Sequence, residues 1–445
     1  MVHAAEPSGL GASASERGRR IVLTTFGSFG DLHPYIALGL GLKARGHEPI
    51  LCTSRVYREK IEGEGLGFHP LRPDLPEGEE TLRMVRRIMD PRTGTEYVIR
   101  DLMMPHLREQ YEDLLSAVRG ADLLVSHSLS YAAPLLAEKL GLPWVGSVLQ
   151  PMVFCSAYDP PVPPNSPPWL LPLRSLPPWL LRPIFNRAKA ELRKYVRPVD
   201  ELRAELGLPP GGNPIFEGQF SPYLNLALFS ETIARPQPDW PANTVVAGFP
   251  LYDRLSAGAG MPPELVRFLD QGPAPIVFTL GTSAVWLGGD FYVESARAAS
   301  RLGQRAVLLV GKDTGNRLPD PLPEGVIACE YAPHSELFPR AAAIVIQGGI
   351  GTTAQAMRAG KPTLVVPFAH DQPDNGVRLA RLGVGRTLPS DGYTADSATR
   401  ELRRLLDDPA YSTKAEAVGR KIAAEDGVGV ACDALEQLLG QVAGR

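Results

Sequence analysis

The chain has 445 residues, which at about 100 to 200 residues per domain predicts two large domains. Hydrophobic residues make up 44%, charged residues 21%, and the formal net charge is −3; this composition excludes a disordered or fibrous chain. A pI near 6.3 offers nucleic acid no dominant basic field. Cys52, Cys155, Cys329 and Cys432 show no C-x-x-C spacing, so neither a disulfide framework nor a zinc site is expected, and a reducing, cytoplasmic setting fits. No stretch reaches the roughly 18 uninterrupted apolar residues of a spanning helix, so the chain is read as soluble or peripheral to a membrane.

Residues 1–20 are small, polar and glycine-rich without the apolar core of a secretion signal, and read as a loose tail. A β-prone run over 21–26 follows, then Gly27-Ser28-Phe29-Gly30, then a helix carrying Leu32, Ile36 and Leu40 at four-residue spacing and ending at Gly46. A second strand over 49–53 completes a strand-helix-strand unit, the building block of parallel sheets. Further strands are expected over 123–125 and 143–148, with a helix over 133–140 between them. Between 151 and 183 prolines crowd the chain and predict no regular element there. That segment is a rigid surface excursion, an apolar wall over a substrate cleft or a membrane-touching flap, since Trp and Leu cluster in it. A second Pro- and Gly-rich shift over 235–263 sets the domain boundary near Ser256, giving domains 21–255 and 256–445. The second half repeats the alternation, with strands over 276–280, 306–310, 326–329, 343–346 and 363–366 and helices over 292–302 and 352–359. The fold class is α/β, two Rossmann-like doubly wound domains facing a cleft. The mostly helical C-terminal stretch is a candidate to pack back on the N-terminal domain.

Several loops at predicted strand ends carry small or hydrogen-bonding residues. Gln347-Gly348-Gly349-Ile350-Gly351-Thr352-Thr353 joins a buried strand to a helix; it is either a structurally required turn or a phosphate site made by free N–H groups and the helix dipole. It lacks the Gly-Lys-Ser/Thr ending of a Walker A loop. The cluster Pro367-Phe368-Ala369-His370-Asp371-Gln372-Pro373-Asp374-Asn375 suits recognition of several hydroxyls, as in a sugar, or else a helix start capped by Asp371 or Asp374. Gly281-Thr282-Ser283 forms a third such loop. In the first domain Asp31 and His33 open a helix, with Pro34 tolerated in its first turn. Asp31 is a helix cap or a general base for an acceptor hydroxyl.

These loops together, with Tyr331-Ala332-Pro333-His334 and Gly248-Phe249-Pro250-Leu251-Tyr252-Asp253, resemble nucleotide-sugar-dependent glycosyltransferases of the GT-B fold, and within them rhamnolipid rhamnosyltransferases and sterol glucosyltransferases. The resemblance spans residue 21 to the C-terminal helices. It implies a donor site made of Gly30, Thr282, Ser283, Tyr331, Ala332, His334, Ile346, Gln347, Gly348, Gly349, Gly351, Thr352, Thr353, His370, Asp371 and Gln372. In that site Tyr331 and its neighbours contact the base, residues 348–353 the diphosphate, and Asp371 and Gln372 the sugar hydroxyls. Asp31 matches the catalytic base. His127 and His33 are candidate assistants, His33 being otherwise a merely solvated histidine at a helix start, and Phe29, His127, Phe154 and Trp169 are candidates to face the acceptor. The implied reaction is inverting transfer of a hexose from UDP-glucose or dTDP-rhamnose to a hydroxyl of an apolar lipid, sterol or polyphenol, with no cofactor and no metal. Alternatives are C-glycosylation of a phenolic ring, a nucleotide-sugar-binding protein with weakened catalysis, and a nucleotide-sugar epimerase.

One departure stands out. Relatives usually carry a histidine that touches the donor diphosphate where this chain has Ile346. The apolar residue either completes a buried strand or removes a charge-assisted donor of about 1.5–3 kcal/mol, leaving the phosphate grip to Gln347.

Overall fold

The computed structural model describes residues 18–443 except 77, 165, 254–259 and 313. Most of the N-terminal tail and the boundary expected near Ser256 therefore lie outside the described residues. Seven parallel strands form the first sheet: β1 (Arg20–Thr24), β2 (Glu48–Thr53), β3 (Gly67–Pro70), β4 (Leu123–His127), β5 (Trp144–Val148), β6 (Leu224–Ala227) and β7 (Thr244–Val246), in the order β3-β2-β1-β4-β5-β6-β7. Six parallel strands form the second: β8 (Ile276–Thr279), β9 (Ala306–Leu309), β10 (Val326–Cys329), β11 (Ala343–Ile346), β12 (Thr363–Val365) and β13 (Gly385–Thr387), in the order β10-β9-β8-β11-β12-β13. Both are doubly wound, and in each the strand order reverses beside the first strand. The central strands are buried on both faces, which is why they read as continuous apolar runs such as Ile21-Val22-Leu23 and Ala343-Ile344-Val345-Ile346. Strands β3, β6, β7 and β13, three or four residues each, carry too little pattern to be read from sequence.

Six helices bear on the site: α1 (Phe29–Ala44), α2 (Glu79–Ile88), α3 (Pro178–Arg193), α4 (Ile350–Ala359), α5 (Gln372–Leu382) and α6 (Gly427–Ala443). The proline-rich stretch corrects the expectation that it holds no regular element. A 3-10 turn occupies Pro168–Ser175, and α3 follows with Pro177 as N-cap and Pro178 in the first turn, where no N–H is needed. Only Pro183 falls deeper in that helix and forfeits a backbone bond. Among the described residues no helix is long and apolar enough to cross a membrane.

The two halves are fastened in three places. First, α6 packs Cys432, Leu435, Leu438 and Leu439 into one core with Ile36, Leu38 and Leu42 of α1, and Arg45 pairs with Asp433 and Glu436 at 2.6 Å each. Second, Met89, just past α2, is buried in the second domain's core with Phe278 and Phe291. Third, the proline-rich segment is tied to α5 by a buried ion cluster. Arg378, 1% exposed, donates from Nε to Asp374 at 2.7 Å and from its guanidinium to Asp159. Asp374 also accepts from the Val162 N–H at 3.0 Å, and Arg381 reaches Asp159 at 2.8 Å.

Such charges repay their desolvation only while every partner is present, so removing one leaves the others stranded. Arg378→Met is expected to lower the free energy of unfolding by about 3–5 kcal/mol. A urea midpoint equal to that of the unsubstituted chain would contradict the cluster.

Candidate active site

The candidate loops leave the carboxyl ends of β1, β8, β11 and β12, and β1 with β4, and β8 with β11, are the strand pairs that flank the two switch points. Asp31 is the third residue of α1. Ser28, not Asp31, is the N-cap: its Oγ accepts from the Gly30 N–H at 3.1 Å, while Asp31 Oδ2 accepts from the Ser28 N–H at 2.8 Å and from its hydroxyl at 3.3 Å. This is a reciprocal capping box. Gly27, with φ +137°, permits it, because a Cβ there would lie 2.2 Å from Asp31 Oδ2. Burial raises the Asp31 carboxyl to about 6 against the lowering pull of the Ser28 bonds. It is thus ionised at neutral pH and more basic than an ordinary aspartate.

Across from it, α4 begins at Ile350 with Gly349 as N-cap, two residues earlier than its pattern suggests. The first amides of a helix have no partner inside it. Here the Ile350 N–H goes to Asp371 Oδ2 at 3.1 Å, and those of Gly351 and Thr352 belong to the same orphan turn. The mouths of α1 and α4 nearly touch: a Cβ on Gly351 would stand 3.7 Å from the Gly30 carbonyl oxygen. Gln347 lies over the loop after β8, for a Cβ on Gly281 (φ +64°) would come within 2.3 Å of its amide nitrogen. Gln347 Oε1 and Thr353 Oγ1 are buried with no hydrogen-bond partner among the described residues, leaving polar capacity at the helix mouth for a ligand.

Asp371 accepts from Asn375 Nδ2 at 2.7 Å as well as from Ile350, and burial lifts it to about 7, with the charge of Asp31 adding to the rise. Neither Asp371 nor Asp374 caps α5 through its side chain, which corrects the capping alternative; Asp374 is spent on Arg378. Gln372 Oε1 accepts from the N–H groups of Phe368 and Ala369 at 2.7 and 3.1 Å, holding the preceding loop in shape. Asn375, part of the polar cluster but not of the implied donor site, ties Asp371 to the Gly348 carbonyl, 2.9 Å away; its four-residue spacing from Asp371 is the signal that reveals it. His370 adopts φ +55°, and its Nδ1 lies 3.2 Å from Thr95 Oγ1 of the first domain.

The other candidates separate into those at the cleft and those turned elsewhere. Thr282 is exposed and Ser283 half-buried beside Gln347's loop. Tyr331 bonds through its hydroxyl to the Asp253 carbonyl, and His334 stacks on Phe338 at 4.4 Å; Ala332 is fully buried. His33 is not the solvated histidine of a helix start. Two residues from Asp31 it points off another side of α1, against Tyr252 at 5.1 Å and Phe29 at 5.3 Å, and burial followed by the Lys60 charge lowers it to about 3. Ile346 is 0% exposed within the core, which agrees with the packing reading. His127, lowered by burial to about 4, lines a pocket with Tyr131, Arg203 and Gln219 that includes no donor candidate. Phe154 is not open to an acceptor: it is sandwiched between Trp240 at 4.0 Å and Phe220 at 5.4 Å. Phe29 is half-buried at the mouth of α1. The side chain of Trp169 lies outside the described residues.

Comparison with known proteins gives this geometry its context. Residues 21–149 match the glycosyltransferase family 28 N-terminal domain, and residues 298–435 match the C-terminal domain described as erythromycin biosynthesis protein CIII-like. The chain is 33% identical to O-mycaminosyltylonolide 6-deoxyallosyltransferase of Streptomyces fradiae, over 94% of this chain and 97% of that one. It is 28% identical to sterol 3-beta-glucosyltransferase UGT80A2 of Arabidopsis thaliana, over 92% of this chain and 64% of that protein's length. The structure of glycosyltransferase VinC in complex with DTDP superposes with a TM-score of 0.64 at 21% identity, covering 95% of this chain and all of VinC. With the fold, the loops and these relatives in agreement, the chain belongs to the glycosyltransferases of the GT-B fold.

Proposed function

We propose that this chain transfers a hexose or deoxyhexose, with inversion, from a nucleoside diphosphate sugar to a hydroxyl of an apolar small molecule. The observation that carries the reading is the pair of helix mouths facing each other at the two switch points, one bearing a basic carboxylate and the other unpaired amide and hydroxyl groups. In this reading the acceptor hydroxyl gives its proton to Asp31 as its oxygen attacks the anomeric carbon. The bond from that carbon to the diphosphate oxygen breaks, and the nucleoside diphosphate leaves with the electron pair. Its charge is met by the Gly351 and Thr352 amides, the positive end of α4 and the Gln347 amide. Asp371, held by burial well above the usual carboxylate range, is able to accept from sugar hydroxyls when ionised and to donate to them when protonated.

The donor class is supported by the nucleotide named in the VinC complex, and the acceptor class by relatives named for O-mycaminosyltylonolide and sterol. No metal or cofactor enters the scheme, since amide donors and a helix end neutralise the leaving group.

Asp31→Asn is expected to cut kcat by about 10² or more, measured as nucleoside diphosphate release. The base must be ionised, so kcat/KM falls as pH drops through about 6; that acid limb is absent from the Asn variant if Asp31 causes it, and its persistence would assign it elsewhere. Gln347→Ala removes one charge-assisted hydrogen bond to the diphosphate and is expected to raise the donor KM by roughly 10- to 100-fold, with a smaller effect on kcat. An unaltered donor KM would take Gln347 out of the grip.

A further inference from the structure

We infer that the 3-10 turn Pro168–Ser175 and α3 form a seat for an anionic lipid bilayer surface. Eleven large hydrophobic side chains are exposed among the described residues, and six of them, Tyr158, Leu171, Leu173, Trp179, Leu180 and Ile184, fall in one stretch. Trp179 is 69% and Ile184 58% exposed. Exposure so concentrated marks a contact surface rather than scattered surface apolarity.

The helix itself calls for a covering. α3 is 16 residues long and its packed row is thin, with Leu181 buried and Phe185 and Leu192 half-buried among those described, whereas most helices draw their stability from a fully packed face. Leu180, Ile184 and Arg187, at i, i+4 and i+7, line one side, with Trp179 beside them. Over 178–194 the chain carries Arg182, Arg187, Lys189, Arg193 and Lys194 against the single acid Glu191. Some of these are engaged locally, Lys189 with Glu217 at 2.6 Å, Arg193 with Asp200 at 3.0 Å and, loosely at the exposed surface, Arg187 with Glu191 at 4.0 Å. Among the described residues Arg182 meets the Tyr158 hydroxyl at 3.3 Å and its ring.

Indole and aliphatic groups beside arginines and lysines on one surface helix are the signature of an element that lies in the headgroup layer. The sign of the charge selects an anionic surface and disfavours a second copy, which would bring like charges together. Tyr158, held by Arg182, adjoins Asp159 of the cluster that reaches α5. The seat therefore connects to the segment flanking the acceptor half. That last placement rests on the transferase reading; lipid binding does not.

The test is flotation of the full chain with vesicles of phosphatidylglycerol and phosphatidylcholine, against vesicles of phosphatidylcholine alone. Partition onto the anionic vesicles is expected to exceed that onto neutral ones by at least about tenfold and to be released by about 0.5 M salt. Trp179→Ser with Ile184→Ser, and separately Arg182→Glu with Arg187→Glu, should each reduce partition by at least about tenfold. Thermal midpoint and turnover of a water-soluble acceptor should stay unchanged in both. Equal partition onto both vesicle types, no binding, or binding unaffected by the variants overturns the seat. So does a dimer in light scattering that Ile184→Ser splits, because a second copy then covers the face. Failure of binding with turnover intact refutes the seat alone; binding without any donor turnover refutes the transferase reading alone.

Discussion

Two helices aim their positive ends at one another across the gap between the domains, and everything in the cleft answers to that arrangement. Partial positive charge at each mouth attracts anions, yet the mouths sit so close, Gly30 against Gly351, that the groups between them are half-buried and partly withdrawn from water. The protein fills the gap with Asp31 and Asp371. Both are held by backbone N–H groups and both are pushed upward by burial, one to about 6 and the other to about 7. Helix ends and hydrogen bonds keep these carboxyls ionisable where burial alone would keep them neutral. The outcome is a pair of carboxyls that change protonation near neutrality, the range in which proton transfer to and from a hydroxyl is most useful.

That closeness depends on the domains being held together by more than the linker. The C-terminal helix returns to α1, Met89 enters the second core, and Arg378 binds carboxylates from both sides of the gap. The first two are apolar burial and tolerate small changes in geometry. The ion cluster is directional and admits little slack. It also sits on α5, directly after Asp371 and Gln372, so the residues read as sugar-binding and the segment flanking the acceptor half share one rigid support.

Much of this is written locally in the chain. The runs over 21–31 and 343–353 each place an apolar strand, a glycine-bearing turn and a helix within about a dozen residues, so both fold and candidate loops are legible there. Reading fails where the partner is remote. Arg378 and Asp159 are 219 positions apart, and no spacing rule links them. Phe154 looks like an acceptor contact until Phe220 and Trp240 close around it. The proline-rich stretch misleads for a different reason: prolines obstruct helix interiors, but Pro177 and Pro178 stand at the entrance of α3, where they assist it. His33 misleads because proximity in sequence to Asp31 is not proximity on a helix surface.

The Asp159–Arg378 pair has an implication for building hybrids from members of this family. A crossover between the two sheets, the natural place to exchange acceptor halves, assigns the carboxylate to one parent and the guanidinium to the other. Unless both parents carry matching partners, such a chimera inherits a bare charge in its interior, and its failure to function would say nothing about which acceptor it prefers.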